Sequence, residues 1–301
     1  MKNQSGIAYG RKTVSISQIV INAVFMLYSV ICVGPLLLVL GSSFSTESDV
    51  LSSGYRFIPL NFTLNAYKFI FGNGRELFQA YFYTVTATVA GTVAGVLIMA
   101  ALAYPISRKD FGPRNKFSFY VYLTMLFNGG MVPLYLVYTQ LIPIKNSILA
   151  LIIPNMIGGF YILLMRGYFA QNIPDAVVES AEIDGASTYR IFFTIVLPLS
   201  KPILVTVGLF SAIAYWNDFF RNMLLANNGV INNLQYLLYR ITLQIQVMNQ
   251  NPDVVQSLGG SIPDETARMA MAILVVAPIA LLFPFMQKHF VKGLIVGSVK
   301  G

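Results

Sequence analysis

The sequence has few of the residues on which enzymes rely for chemistry. It contains one cysteine, Cys32, and one histidine, His289. A single cysteine excludes a disulfide within the chain and a cluster of thiol metal ligands. No second base, thiol or carboxylate stands at ligand spacing from the histidine. The sequence therefore favours a protein that is not an enzyme.

Charged residues are also scarce. They form 11% of the chain, against about 25% in typical soluble domains, while hydrophobic residues form 56%. This deficit indicates a bilayer protein. The net charge of +8 does not predict nucleic-acid binding, because the basic residues are spread over short connections. Alternation with a period of two is missing, which excludes an outer-membrane barrel.

Several apolar runs are long enough to cross a bilayer as helices. They lie at about 19–40, 80–106, 117–139, 147–165, 202–225 and 268–286. The first run is too long for a signal-peptide core, and we interpret it as a retained anchor. No segment has the composition of a linker, so we expect one all-α integral membrane domain over residues 1–301, with six transmembrane helices. Lys and Arg collect on the side that holds both termini, which predicts cytoplasmic termini and outer loops at about 41–76 and 226–267.

One sequence feature concerns the packing of the spans, and another concerns nucleotide binding. Gly91 and Gly95 lie one helical turn apart and predict the close approach of another helix. The segment from Gly6 to Thr13 lacks the spacing of a phosphate loop. We therefore do not expect this segment to hold the phosphates of a nucleotide.

The connection at 169–201 is polar and acidic. Asn172 is placed to cap a helix that begins near Pro174, and Gly185 is placed to end it. At about 100° per residue, the helix divides into an acidic face and an apolar face. The acidic face holds Asp175, Glu179 and Glu182, and the apolar face holds Val177, Val178 and Ala181. Anionic lipid would repel the acidic face, which favours docking to a basic protein, although a solvated helix between two spans explains the pattern equally well.

The same connection resembles a known motif. Glu179-Ser-Ala181, Gly185 six residues after the glutamate, and Ile195-x-Leu197-Pro198 resemble the EAA motif in the permease subunits of bacterial ABC importers. Ser180 stands where that family usually has alanine. Nearly the whole chain is similar to the MalG-like carbohydrate permeases, in the segments 61–67, 103–108, 216–219 and 290–301. The segment 127–133 resembles the LplC/YtcP-type branch of that family.

This resemblance implies the fold of a type I ABC importer permease that transports oligosaccharides. In the family this loop forms coupling helices that sit in a cleft of the ATP-binding subunit. By resemblance, the coupling residues are Glu179, Ala181, Glu182, Asp184, Gly185, Leu197 and Pro198. We expect the turn at Gly185 to have no room for a charged side chain.

The resemblance also implies the partners of the chain. They are a homologous second permease, which would form a heterodimer with this chain, two ATP-binding subunits and an external substrate-binding protein. This chain would bind no cofactor, and ATP and Mg²⁺ would be held by the ATP-binding subunits.

Candidate residues for the translocation path fall in the third and fifth runs. Asp218 and Arg221 are spaced to pair on one helix face, either as a structural ion pair or as the lining of a sugar vestibule. Trp216, beside Asn217, would anchor the chain at the interface or stack on a sugar. Asn128, beside two glycines, predicts irregular backbone inside a span, where we expect a cavity.

The alternative to a permease subunit is a self-sufficient secondary transporter or channel for a small polar solute. Such a protein would show buried carboxylates for ion coupling, or broken helices in repeated halves. Beyond Asp218, the sequence shows neither feature.

Overall fold

The computed structural model describes residues 16–72, 74–226, 229–250 and 265–281. Some predictions fall outside these residues: the end of the sixth span at 282–286, His289, the resemblance at 290–301, the segment from Gly6 to Thr13 and much of the second outer loop, at 251–264. The described residues divide into two compact units, and each is described by itself. They are residues 16–67 with 265–273, and residues 68–250 with 274–281.

The described residues are mainly helical, and the only strand-like pairing among them is an isolated bridge between Ser45 and Phe62. The helices are α1 (Ile16–Ser43), α2 (Glu47–Ser53), α3 (Asn65–Gly72), α4 (Gly74–Ser107), α5 (Arg114–Leu126), α6 (Met131–Leu136), α7 (Leu149–Ile152), α8 (Gly159–Asn172), α9 (Asp175–Ile183), α10 (Thr188–Ile191), α11 (Leu197–Leu199), α12 (Lys201–Trp216), α13 (Phe220–Leu225), α14 (Leu234–Gln250) and α15 (265–281). Two π-helical segments, Val137–Leu141 and Phe192–Val196, follow α6 and α10, and a 3₁₀ turn, Ile153–Asn155, follows α7.

The first unit joins the end of α1, α2 and the start of α15. Helix α1 exposes its apolar side chains over most of its length and is buried only at residues 41–43. The carboxylate of Glu47 accepts hydrogen bonds from the backbone N–H groups of Glu265 at 2.9 Å and Thr266 at 3.0 Å, and from the Thr266 hydroxyl at 2.7 Å. A negative charge at the positive end of a helix is stabilising, so Glu47 fixes the start of α15.

The second unit is built around α4, which packs against α5, α8 and α12. The close approach predicted for Gly91 and Gly95 is confirmed. The ring of Tyr215, from α12, occupies the space where a Cβ on Gly91 would lie, and the carbonyl oxygen of Met156 is 2.6 Å from the place of a Cβ on Gly95. The Tyr215 hydroxyl donates to the carbonyl of Ile152 at 2.6 Å, which fixes the ring in this place. Because a side chain at either position would collide with these atoms, packing requires both glycines.

The chain bends sharply at three places: within the third predicted span, within the fourth, and just before the fifth. The axes turn by 111° between α5 and α6, by 53° between the α7 segment and α8, and by 80° between the α10–α11 segment and α12. Gly130, with φ 87°, permits the first bend. Pro202 has no N–H to continue the helix across the third bend.

Breaks in the helices alter three predicted spans. The third span, 117–139, is two helices separated by residues 127–130, and the fourth, 147–165, is interrupted at residues 156–158. The fifth, 202–225, stops at Trp216 and resumes as α13. Among the described residues, α1 and α4 are each long and apolar enough to cross a membrane. Each bent pair passes the same test when counted as one span, which gives up to five. Helix α15 is described over 17 residues and coincides with the start of the predicted sixth span.

Candidate functional site: the coupling loop and the polar residues of the spans

Helix α9 begins one residue after Pro174, whose extended backbone (φ −64°, ψ 133°) places it at the N-cap. The prediction that Asn172 caps this helix is wrong. Asn172 is the last residue of α8, and its side-chain amide donates to the carbonyl of Tyr168 at 3.0 Å. No side chain caps α9, and the acidic group in its first turn is Asp175.

The end of α9 is a Schellman turn. The N–H of Ala186 bonds to the carbonyl of Ala181 at 2.9 Å, and the N–H of Gly185 bonds to the carbonyl of Glu182 at 3.0 Å. Gly185 has φ 78°, which an L-residue adopts at a cost of about 1–2 kcal/mol. The predicted helix end at Gly185 is therefore confirmed.

The predicted reason for a glycine at this turn is wrong. A Cβ on Gly185 would meet no heavy atom within 4 Å, so the chain itself leaves room for a side chain. The requirement for glycine within this chain comes from the positive φ.

The two faces of α9 differ from the sequence prediction at one position. Val178 is fully buried and Ala181 is half-buried, as predicted, but Val177 is exposed. Glu179, Glu182 and Asp184 are exposed. The acidic face is therefore open to a partner.

The tip of the coupling loop, from Ile183 to Tyr189, exposes two large apolar side chains next to the acidic face. Ile183, the last residue of α9, is 86% exposed, and Tyr189 of α10 is 80% exposed. Ser187 caps α10 by accepting a hydrogen bond from the N–H of Arg190 at 3.4 Å. Two short helices and the turn between them thus present exposed apolar groups beside three carboxylates.

The loop is anchored firmly on its other side. Val178, Ile191 and Val196 are almost completely buried in one cluster with residues of α4 and α8. Within it, the ring of Tyr104 lies 5.7 Å from that of Phe192 and 6.5 Å from that of Phe169, measured between centroids. The loop is therefore packed directly against α4 and α8.

Asp175, which was predicted to lie on the acidic face, forms ion pairs with two basic residues. Its carboxylate lies 3.1 Å from Arg108 Nη1 and 3.2 Å from Lys109 Nζ. The Arg108 side chain is only 14% exposed and also contacts Asp110 at 3.1 Å through Nε. These ion pairs connect the first residue of α9 to the end of α4.

Leu197 and Pro198 open α11, which follows the π-helical segment. Leu197 is half-buried and Pro198 is exposed. The N–H of Ser200 still bonds to the carbonyl of Val196 at 3.0 Å, and the chain then turns into α12. The chain before the predicted fifth span therefore makes a sharp bend centred on Ser200.

Asp218 and Arg221 form an ion pair, with Oδ1 and Nη1 3.4 Å apart. The predicted placement on one helix face is wrong, since Asp218 lies in the break between α12 and α13. Asp218 is buried and also accepts from the N–H of Arg221 at 3.2 Å. The Arg221 Nε is buried without a hydrogen-bond partner.

Trp216 and Asn217 have opposite environments. Trp216 is buried, and its indole N–H donates to the carbonyl of Val275 at 3.0 Å. Its ring is therefore not exposed to a solute in this conformation. Asn217 is exposed and accepts a hydrogen bond from the amide of Gln235, from α14, at 3.0 Å.

Asn128 lies in the 111° bend between α5 and α6. Its side-chain oxygen accepts from the N–H of Gly130 at 2.9 Å, which stabilises the turn. The residue is exposed in the isolated chain. The irregular backbone predicted here is confirmed.

Sequence reasoning missed a buried asparagine network after α13. The amide of Asn222 donates to the carbonyls of Ala226 at 2.8 Å and Ile231 at 2.9 Å, and its oxygen accepts from the N–H of Asn233 at 2.7 Å. The Asn233 amide donates to the carbonyl of Asp218. The pair Asn232-Asn233, directly before the amphipathic sequence of α14, was the feature of the sequence that could have indicated this network.

Comparisons with known proteins identify the class. Residues 6–296 match the family described as the inner membrane component of binding-protein-dependent transport systems. The chain is 38% identical over 276 residues to the polygalacturonan/rhamnogalacturonan transport system permease protein YtcP of Bacillus subtilis (strain 168), covering 92% of this chain and 95% of that protein. It is 36% identical over 267 residues to protein LplC of the same organism, covering 89% of each chain.

A solved structure agrees with this match. A chain of a bacterial ABC transporter involved in the import of the acidic polysaccharide alginate has a TM-score of 0.77 and 27% identity, with 93% of this chain and 100% of that chain covered. This protein belongs to the family of membrane components of binding-protein-dependent transport systems. The MalG-like resemblance and the LplC/YtcP-type branch are confirmed, and the chain is an ABC importer permease rather than a self-sufficient transporter.

Proposed function

We propose that this chain is one transmembrane subunit of an ABC importer for oligosaccharides, and that the loop from α9 to α11 docks on its ATPase. The observation that carries the docking proposal is the two-sided loop. One side is buried with α4 and α8, and the other exposes Ile183 among carboxylates. A basic cleft with an apolar floor fits this surface.

The proposed assembly has more than one kind of partner. It contains a homologous second permease in a heterodimer, two ATP-binding subunits that hold ATP and Mg²⁺, and an external substrate-binding protein. The membership in a binding-protein-dependent family supports the last partner. The excess of Lys and Arg on one side supports cytoplasmic termini and, with them, a cytoplasmic docking loop.

The proposed mechanism is a rigid-body movement. Closure of the ATPase pair displaces the docked loop, and the buried contacts of Val178 and Ile191 carry α4 and α8 with it. The spans then alternate between inward-open and outward-open states. The contact with the ATPase is formed by Glu179, Ala181, Glu182, Asp184 and Gly185. Leu197 and Pro198 transmit the movement to α12.

The proposed substrate class follows from the relatives. The name of one relative specifies polygalacturonan and rhamnogalacturonan, and the similar solved transporter imports alginate. We therefore propose oligosaccharides, with uronic acid-containing ones to be tested first. The proposed path includes Asn128, Trp216, Asn217, Asp218 and Arg221. Arg221 would supply a cation to a sugar carboxylate.

The docking proposal is tested with a matched pair of exposed isoleucines. Ile183→Ser alters the tip of the loop, while Ile58→Ser alters the first outer loop. These residues are 86% and 81% exposed, so neither change should remove core packing. We expect Ile183→Ser to reduce the amount of ATPase that co-purifies with the permease, and Ile58→Ser to leave it unchanged.

Two outcomes would contradict this proposal. Equal retention of the ATPase by both variants would show that Ile183 is not part of the docking surface. Uptake driven by a proton gradient without ATP, in proteoliposomes that contain the chain alone, would contradict the assignment to an ATP-driven importer. Substrate class is tested separately, by calorimetric binding of oligogalacturonates and neutral oligosaccharides to the cognate binding protein.

A further inference from the structure

A cavity lies apart from the exposed tip of the coupling loop. It has a volume of about 310 Å³ and lies where the end of α4, the start of α5 and the end of α8 meet. Its lining includes the cationic side chains of Arg108, Lys109, Arg114 and Arg166, with a single carboxylate, that of Asp175. Four cationic groups around one small cavity require anionic charge, since like charges repel.

The available carboxylates do not balance this charge. Asp175 pairs with Arg108 and Lys109, and Asp110 pairs with Arg108 again. Neither Arg114 nor Arg166 pairs with a carboxylate among the described residues. Each donates instead to a backbone carbonyl: Arg114 Nη1 to that of Arg108 at 3.5 Å, and Arg166 Nε to that of Ile106 at 3.2 Å.

The chemistry of the lining suits a phosphate group. Guanidinium groups present parallel donors that match phosphate oxygens and form strong, charge-assisted hydrogen bonds with them. Arg114 is also the first residue of α5, a helix of 13 residues, and the N-terminus of a helix favours an anion. Asn115 and Gln171 also line the cavity, and each carries an uncharged amide donor.

The surroundings favour a lipid as the source of the phosphate. The cavity lies at the end of the apolar helix α4, and Phe117 and Tyr120, one and two turns into α5, are exposed. Basic pockets between transmembrane helices on the cytoplasmic side bind anionic head groups. We propose that this cavity binds the phosphate of an anionic phospholipid, whose acyl chains lie along the exposed apolar side chains of α5.

The position of the cavity gives such a lipid access to the coupling loop. Asp175 lines the cavity and is the first residue of α9. A bound phosphate competes with this carboxylate for Arg108 and Lys109. Lipid binding therefore weakens the ion pairs that connect α9 to the end of α4.

The test compares two exposed lysines. Lys109 lines the cavity and its side chain is 79% exposed, whereas Lys116 is exposed but does not line it. The full transporter carrying Lys109→Gln, Arg114→Gln or Lys116→Gln is reconstituted in nanodiscs of equal phosphatidylglycerol and phosphatidylcholine. Native mass spectrometry after detergent extraction then counts the lipids retained. We expect Arg114→Gln to weaken phosphatidylglycerol retention about tenfold, as the loss of a charge-assisted hydrogen bond predicts, and Lys109→Gln to weaken it less.

The result for Lys116→Gln decides specificity. Retention equal to that of the unaltered protein supports a defined site, while a loss as large as that in Lys109→Gln would overturn the proposal in favour of general surface charge. Equal retention of phosphatidylglycerol and phosphatidylcholine by the unaltered protein would also overturn it. A separate titration with inorganic phosphate distinguishes the source: displacement of the lipid at millimolar phosphate would overturn the lipid assignment and identify a soluble ligand for the same residues.

Discussion

The ion pair between Asp175 and Arg108 offers a sharp test of how the coupling loop drives the spans. Asp175→Asn keeps the size of the side chain but removes its charge and one of the two oxygens that accept from Arg108 and Lys109. The structure supplies a matched control, because Asp110 contacts the same guanidinium group at the same distance, 3.1 Å. Only Asp175 belongs to α9, whereas Asp110 lies in the turn after α4.

The expected energies of the two changes are similar. The Lys109 contact is exposed, at 79% for the lysine side chain, and is worth a few tenths of a kcal/mol at most, as is usual for surface pairs. The Arg108 contact involves a guanidinium that is 14% exposed and is worth about 1 kcal/mol. Removing Asp110 loses a comparable Arg108 contact, although its own side chain is 66% exposed. Both variants should therefore fold with nearly the same thermal stability.

Their effects on transport should differ. Without the Asp175 charge, α9 keeps its apolar contacts with α4, and a loss of about 1 kcal/mol changes the equilibrium constant between the tethered and released states of α9 about fivefold. We expect Asp175→Asn to raise the number of ATP molecules hydrolysed per sugar imported by about twofold to fivefold, while Asp110→Asn leaves this ratio unchanged. The assay is simultaneous measurement of ATP hydrolysis and labelled sugar uptake in proteoliposomes with the complete transporter.

An equal change in both variants would refute the reasoning, because it would show that the ion pairs act on general stability. No change in Asp175→Asn would show that the buried contacts of Val178 are sufficient for coupling. A loss of transport through poor folding is recognised by a fall in melting temperature, which is measured on the same preparations.

Three further predictions concern single residues. Gly185→Asp should abolish coupled uptake while the protein remains in the membrane. Gly54→Asp, at another helix end with positive φ and open space, should leave uptake unchanged. Normal uptake by Gly185→Asp would refute the docking role. Gly95→Ala should destabilise the protein by about 1–3 kcal/mol through overpacking, seen as a lower melting temperature, whereas Gly34→Ala, with no atom within 4 Å of the new methyl group, should have little effect. Glu47→Gln should lower the melting temperature by the equivalent of about 1–2 kcal/mol, since it removes a charged helix cap, and unchanged stability would contradict that role.

Local chemistry made parts of the coupling loop predictable. The end of α9 follows from Gly185, because a Schellman turn requires a positive φ that glycine adopts without strain. The burial of Val178 follows from helical periodicity. The start of the helix was mispredicted because Pro174 already restricts the preceding residue to an extended conformation, so the helix needs no capping by Asn172.

The bends in the spans were harder to predict. Apolar composition shows that a segment prefers lipid or protein surroundings, but it carries no information on the direction of the helix axis. The glycines beside Asn128 indicated irregular backbone, yet the 111° turn depends on how α5 and α6 pack. The break at Asp218 is similarly stabilised by Asn222 and Asn233, which lie further along the chain.

The sequence by itself determined the class of this protein, because composition, hydropathy and the motif around Glu179 and Gly185 depend on residues that are close in the chain. Tertiary structure alone decided which charges are paired. Asp175 looked like one more acid on a solvent face, and only folding brings it to Arg108, 67 residues away. The same folding gathers Arg114 and Arg166 around one cavity. Electrostatic interactions depend on distance in space, and a sequence pattern does not contain that distance.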